Sequence, residues 1–224
     1  MKPLTINSGK SAIMLVDDHP LVRYGLIQLI DSEPDMFVCC EAGGCRETLK
    51  ALESNSPDLV IVDLSMNDGN GLDLIKDIRH IYPSLSALVL SMHDESLYAE
   101  RALKAGARGY VMKQAGTKDL IKAIRTILAG QIFVSQSISS RLIAKQTGHA
   151  SDNDNCYVGL LSDRELEVFE MIGKGLKTGV IAELLHLSIK TIETYRANIK
   201  KKLDLPDSSK LTQAAVAWIN SLDK

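Results

Sequence analysis

The sequence predicts two folded parts of different class. Residues 11–130 read as an α/β doubly wound domain on a five-stranded parallel sheet, and residues 159–224 as an all-α four-helix domain. Three observations carry that prediction. Five short apolar runs in the first part alternate with segments of helical period. The runs are apolar almost without a break, as strands covered on both faces are. Beyond residue 159 only the helical period remains.

The runs occupy 12–16, 36–40, 59–62, 87–90 and 110–112, and the helical segments 21–30, 46–54, 72–81, 96–105 and 118–128. Five such βα units imply the flavodoxin-like strand order. Thr117 is placed to cap the last helix, whose stripe is Ile121, Ile124, Ile127 and Leu128. Gly106 stands where a helix C-cap glycine belongs. Residues 131–158 read as an interdomain linker, helical in character at 136–145 and a polar run of turn formers at 147–155. Ser162 and Glu165 then make a capping box ahead of Leu166, Phe169 and Ile172, and Gly173 and Gly175 end that helix. A short second helix carries Ile181, Ala182, Leu184 and Leu185. Ser188 caps a third, with Ile192, Tyr195, Ile199 and Leu203 inward. After Pro206 a fourth carries Leu211, Ala214, Ala215, Trp218 and Leu222. The tight connection between the second and third suggests a helix-turn-helix unit.

Hydrophobic residues at 45% and charged residues at 24% exclude a disordered tail or a fibre. No apolar run reaches eighteen residues, so no membrane partner is expected. Residues 1–10 lack a signal-peptide core, and the cytoplasm is the expected compartment. Cys39 and Cys40 are adjacent, Cys45 follows soon after and Cys156 is remote. No CxxC pair and no nearby histidine accompany them, so zinc is not expected, and Cys39 and Cys40 read as small buried hydrophobes. The net charge of −2 argues against a nucleic-acid binder only until it is divided. Residues 1–130 carry −3, 131–158 carry zero and 159–224 carry +1, with +4 confined to 188–203.

Asp17 and Asp18 follow the first strand and Asp63 the third. In the flavodoxin-like order these strands are neighbours at the switch point, where ligands bind beyond the carboxyl ends. Three converging carboxylates repel unless a cation or proton intervenes, and oxygen ligands suit Mg2+. Lys113 and Ser91 end two further strands at the same edge and add a fixed positive charge and a hydroxyl. Such a set handles a phosphoryl group, with a carboxylate as nucleophile. An acidic pair at a strand end is usually a solvated loop, but five suitable residues at strand ends are hard to attribute to chance. A Mg2+-dependent phosphatase is the rival chemistry. It needs Asp-x-Asp after the first strand, where this chain has Asp17-Asp18-His19-Pro20.

Val16-Asp17-Asp18-His19-Pro20, Val62-Asp63-Leu64-Ser65-Met66, Leu90-Ser91-Met92 and Gly109-Tyr110-Val111-Met112-Lys113 resemble the receiver domain of two-component response regulators. The segment Leu161-Ser162-Asp163-Arg164-Glu165-Leu166-Glu167-Val168, with Gly175, Ile181-Ala182, Leu187-Ser188, Thr191-Ile192, Asn198-Ile199 and Lys202-Leu203, resembles the LuxR-type DNA-binding domain. Together they resemble the NarL/FixJ group of transcriptional regulators, which are not enzymes in the ordinary sense. The resemblance implies that Asp63 accepts a phosphoryl group from a sensor histidine kinase. It implies Mg2+ at Asp18, Asp63, the Ser65 carbonyl and, through water, Asp17. It makes Ser91 and Tyr110 a switch pair, although spacing alone reads Tyr110 as a half-buried strand aromatic. Phosphorylation would then shift the domain arrangement and favour a homodimer on promoter DNA, with RNA polymerase as a further partner. Met66 is followed by Asn67-Asp68-Gly69 where the family usually has proline, which predicts a different turn and an extra charge near the site.

On the third helix the outward residues are Lys190, Thr191, Glu193, Thr194, Ala197, Asn198 and Lys201. Their surroundings hold five basic residues against one acidic, the footprint of phosphate contact, although Lys200, Lys201 and Lys202 also suit a helix C-terminus. Base readout falls to Glu193, Thr194 and Ala197. Glu193, Tyr195 and Lys177-Thr178-Gly179-Val180 depart from the family pattern and bear on which DNA sequence is read. The fourth helix is expected to pair two domains through Leu211, Ala215 and Trp218, an expectation that rests on the resemblance; amphipathicity alone favours core packing.

Overall fold

The computed structural model describes residues 9–147 and 158–222. The chain divides into two compact units, residues 1–149 and 150–224. In the first, β1 (Ser11–Val16), β2 (Met36–Ala42), β3 (Leu59–Val62), β6 (Ser86–Ser91) and β7 (Gly109–Met112) form one parallel sheet in the order β2-β1-β3-β6-β7. A small antiparallel hairpin, β4 (Ser65–Met66) with β5 (Gly69–Asn70), follows β3. Ile13, Leu15, Leu59, Ile61, Leu88, Leu90 and Val111 share one core layer with Ile30, Leu120, Ile124 and Ile127. The intervening Met14, Val16, Val60, Val62, Val89 and Tyr110 are equally buried, so both faces are covered and the runs have no polar alternation.

The helices are α1 (Pro20–Asp31), α2 (Cys45–Leu52), α3 (Gly71–Ile81), α4 (Glu95–Ala105), α5 (Thr117–Leu128) and α6 (Gln136–Gln146). Gly106, at φ +121°, ends α4 in a conformation that disfavours a side chain. Thr117 does not cap α5: it is the first helical residue, and the cap position is Gly116, which has no side chain to accept a bond.

Residues 131–146 are not free linker. Phe133 bridges to Gly109 at the sheet edge. The α6 helix lies on α4, held by buried Ile138 and by polar anchors. Ser135 Oγ donates to Glu95, Arg141 donates to the Ser96 carbonyl, and Lys145 pairs with Glu100. Most of the polar run at 147–155, and Cys156, lie outside the described residues.

The second unit contains α7 (Asp163–Gly173), α8 (Thr178–Leu184), α9 (Ile189–Lys202) and α10 (Ser208–Leu222). Leu166, Phe169, Ile172, Ile181, Ile192, Ile199 and Leu211 are buried, and Phe169 meets Trp218 with ring centroids 5.3 Å apart. The Ser162–Glu165 capping box forms with both bonds present. The α8–α9 turn passes through His186 at φ +51°, which costs a non-glycine residue about 1 kcal/mol. Bonds from His186 N–H to the Glu183 carbonyl and from Leu187 N–H to the Ala182 carbonyl hold the turn there.

Candidate functional site

Val16 lies beside Val62 in the sheet, so the ends of β1 and β3 present Asp17 and Asp63 together. Lys113, just beyond β7, reaches across and donates to both carboxylates at 2.6 Å. All three side chains are largely withdrawn from solvent. Burial pushes the Asp63 carboxyl up, Lys113 opposes that shift and Asp17 adds to it. Burial alone would lower Lys113, but Asp63 and Asp17 outweigh it and hold the ammonium above its ordinary range.

Three carboxylates against one ammonium leave negative charge in excess. Asp18 Oδ1 is buried with no donor aligned on it, although His19 Nδ1 lies 2.6 Å away. Ligand atoms of Asp17, Asp18, His19 and Asp63 all fall within 4.8 Å of one another. An orphaned carboxylate oxygen amid excess negative charge fits a hard divalent cation such as Mg2+. His19 was not legible as a member of the cluster; its imidazole is the poorest match to a hard cation.

Ser65 N–H donates to Asp63 Oδ1 at 3.4 Å, which sets the hairpin against the carboxylate. A Cβ on Gly71 would stand 2.2 Å from the Asp63 carbonyl oxygen, so only glycine lets α3 begin this close. Ser91 is fully buried, and its Oγ accepts from His93 N–H at 3.3 Å. Tyr110 lies inward, its ring buried and its hydroxyl donating to the His93 carbonyl at 2.9 Å. His93 Nε2 sits 2.9 Å from Ser65 Oγ. One residue therefore touches Ser65, Ser91 and Tyr110. Sequence reasoning missed it, because a lone histidine two residues past a strand carries no pattern.

The extra charge of the Asn67-Asp68-Gly69 turn is engaged elsewhere. Asp68 accepts from the N–H groups of Cys45 (2.8 Å) and Arg46 (3.1 Å) at the N-terminus of α2. Burial would raise its pKa, but these donors outweigh burial and hold it below the usual carboxylate range.

On α9, Lys190, Glu193, Thr194, Ala197, Asn198 and Lys201 are exposed, while Ile192 and Ile199 face the core. Thr191 is half-covered, its Oγ1 2.8 Å from Ser188 Oγ. Lys202 is exposed as well, but its Nζ is engaged, donating to Glu165 Oε2 at 2.6 Å. Burial would raise Glu165, but Lys202 and Ser162 hold it low. The expected dimer contacts need correction. Leu211 and Ala215 are fully buried in their own unit, and Trp218 packs on Phe169. The apolar stripe of α10 closes this core, so Leu211 and Ala215 are out of a partner's reach. The exposed side of α10 carries Thr212, Gln213, Val216, Ala217 and Asn220.

A family model of the response regulator receiver domain matches residues 13–125, and one of bacterial regulatory proteins of the luxR family matches 159–215. The chain belongs to the NarL/FixJ-type response regulators. This regulator is 34% identical over 208 residues to the oxygen regulatory protein NreC of Staphylococcus haemolyticus, covering 91% of the regulator and 96% of that relative. It is 34% identical over 204 residues to the transcriptional activator protein ExaE of Pseudomonas putida, covering 91% and 95%. Among solved structures it is similar to RcsB of Salmonella enterica serovar Typhimurium bound to promoter P1flhDC in the presence of phosphomimetic BeF3-. That match has 27% identity and a TM-score of 0.63, over 93% of the regulator and 99% of the RcsB chain. A structure of two RcsB dimers bound to two parallel DNAs matches at 28% identity and a TM-score of 0.57, over 94% and 99%. The family is one of transcription regulators rather than enzymes. Among the described residues no helix is long and apolar enough to cross a membrane.

Proposed function

We propose that a sensor histidine kinase phosphorylates this regulator on Asp63, and that the phosphorylated form binds promoter DNA as a homodimer in the cytoplasm. The observation that carries the reading is Lys113 bridging Asp17 and Asp63 beside the orphaned oxygen of Asp18. An Asp63 carboxylate oxygen attacks the phosphorus of a phosphohistidine, the P–N bond breaks, and the imidazole leaves with its proton. Lys113, already aimed at Asp63, holds the charge of the arriving phosphoryl oxygens. Asp17, Asp18, Asp63 and the Ser65 carbonyl would hold Mg2+, which when bound offsets charge on those oxygens. The receiver residues thus assist their own phosphorylation and its reversal without making the protein an enzyme of other substrates.

The Ser91 hydroxyl then turns to the phosphoryl group, and His93 couples that movement to Tyr110 and Ser65. The receiver state so favoured raises the dimer population. Lys190, Thr191, Asn198 and Lys201 contact phosphates, and Glu193, Thr194 and Ala197 meet base edges. The exposed side of α10 around Val216 pairs the two copies, which sets the half-site spacing. RNA polymerase is the downstream partner of the bound dimer.

The test is labelling by a small-molecule phosphodonor with Mg2+, read as intact mass. Wild type gains one phosphoryl group and Asp63→Asn gains none; undiminished labelling of the variant overturns the assignment. Beryllofluoride should tighten promoter binding of wild type and leave Asp63→Asn unchanged.

A further inference from the structure

Strand β2 is an edge of the sheet, and its pairing with β1 slips by one residue. Ile13 stands opposite Val38, but Met14 stands opposite Cys40, so Cys39 is the extra residue of a bulge. In a regular strand Cys39 and Cys40 would point to opposite faces. Here their sulfurs lie 3.6 Å apart, and both side chains are only partly buried. Cys39 Sγ also donates to the Ile13 carbonyl at 3.4 Å.

The separation decides what the pair suits. Adjacent Cα atoms are about 3.8 Å apart, shorter than the usual span of a disulfide, so an S–S bond between neighbours is strained. Two sulfurs sharing one thiophilic atom through bonds of about 2.3 Å at the tetrahedral angle stand about 3.8 Å apart. The pair is therefore set for a bridging atom rather than for a direct bond. No third ligand joins it, since among the described residues the metal-competent cluster is the Asp17–Asp63 group. The atom must be one that two thiols satisfy.

We propose that Cys39 and Cys40 form a dithiol site for a trivalent organoarsenical. The hydrated reagent carries two hydroxyls and one organic group on arsenic. Two As–O bonds break, two As–S bonds form, both thiol protons leave in two waters, and arsenic stays trivalent. Hydrogen bonding from Cys40 lowers Cys39 and, reciprocally, raises Cys40, so Cys39 is the first nucleophile.

Phenylarsine oxide on the full-length chain tests this by intact mass. One adduct should survive a hundredfold excess of a monothiol and be removed by a dithiol. Cleavage after Glu41 separates Cys39 and Cys40 from Cys45, and the adduct should map to the former. Cys39→Ser and Cys40→Ser should each lose the monothiol-resistant adduct, and Cys45→Ser should keep it. Retention in urea should fall at least tenfold, because unfolding removes the bulge. Retention equal in urea, or an adduct mapped to Cys45 or Cys156, overturns the proposal whether or not the serine variants fold.

Discussion

Lys113 and Lys202 each reach buried carboxylates at 2.6 Å, and they do different work. Lys113 meets Asp17 and Asp63, with Asp18 beside them, so one cation faces three anions. Lys202 meets Glu165, which also receives the Ser162 N–H of the capping box, and nothing is left unbalanced. The first site is an incomplete charge set that a divalent cation would complete. The second is complete and ties the end of α9 to the start of α7. A buried lysine–carboxylate contact is thus a functional signal only when the charges around it fail to cancel.

Five substitutions probe that contrast and the surface beside it. Lys113→Met should have the largest effect, since it leaves Asp17 and Asp63 buried without a counter-charge. A loss of about 3–5 kcal/mol is expected, partly restored by Mg2+. Urea unfolding of the first unit with and without the ion measures both, and a loss that Mg2+ leaves untouched would refute the incomplete-charge account. Glu165→Gln should cost about 1 kcal/mol, because Lys202 is partly exposed and rehydrates. Trp218, the single tryptophan, reports that unit by fluorescence. The lowered pKa of Glu165 also sets a pH dependence. Its contribution is complete above the ordinary glutamate value of about 4.3 and is lost as pH falls through the lower folded value. The acid limb of the Trp218 transition should therefore be shallower in Glu165→Gln.

Lys201→Ala should reduce the salt slope of promoter binding by about one, while Lys202→Ala leaves it unchanged. Equal slopes for the two variants would return Lys202 to the DNA face. Glu193→Ala should alter the ranking of operator variants with little change in mean affinity, and an unaltered ranking in a competition assay would remove Glu193 from base readout.

The first-unit fold was legible because its strands are nearly unbroken apolar runs, and β1 beside β3 follows from the strand order. The convergence of Asp17, Asp18, Asp63 and Lys113 came with it. Docking of α6 was not legible, since Ile138 is the one residue of that helix buried and the anchors Ser135, Arg141 and Lys145 look like ordinary surface. The Lys202–Glu165 contact joins residues 37 apart in sequence, so the lysine run read as uniformly basic. The burial of Leu211 and Ala215 follows the amphipathicity of α10, which favours core packing, rather than the resemblance, which implies a partner contact there. His93 and His19 gain their places from three-dimensional neighbours alone.

The capping of α2 from a distance has an evolutionary consequence. A Cβ at Gly44 would stand 2.4 Å from the Asp68 carboxylate that occupies its place at the helix end. Positions 44 and 68 should therefore be epistatic: a side chain at 44 would displace the Asp68 carboxylate from the helix end, so the acid caps α2 only while 44 stays bare. The two changes should appear together or in a fixed order among descendants of this chain, and a double-mutant cycle should show strong non-additivity between them.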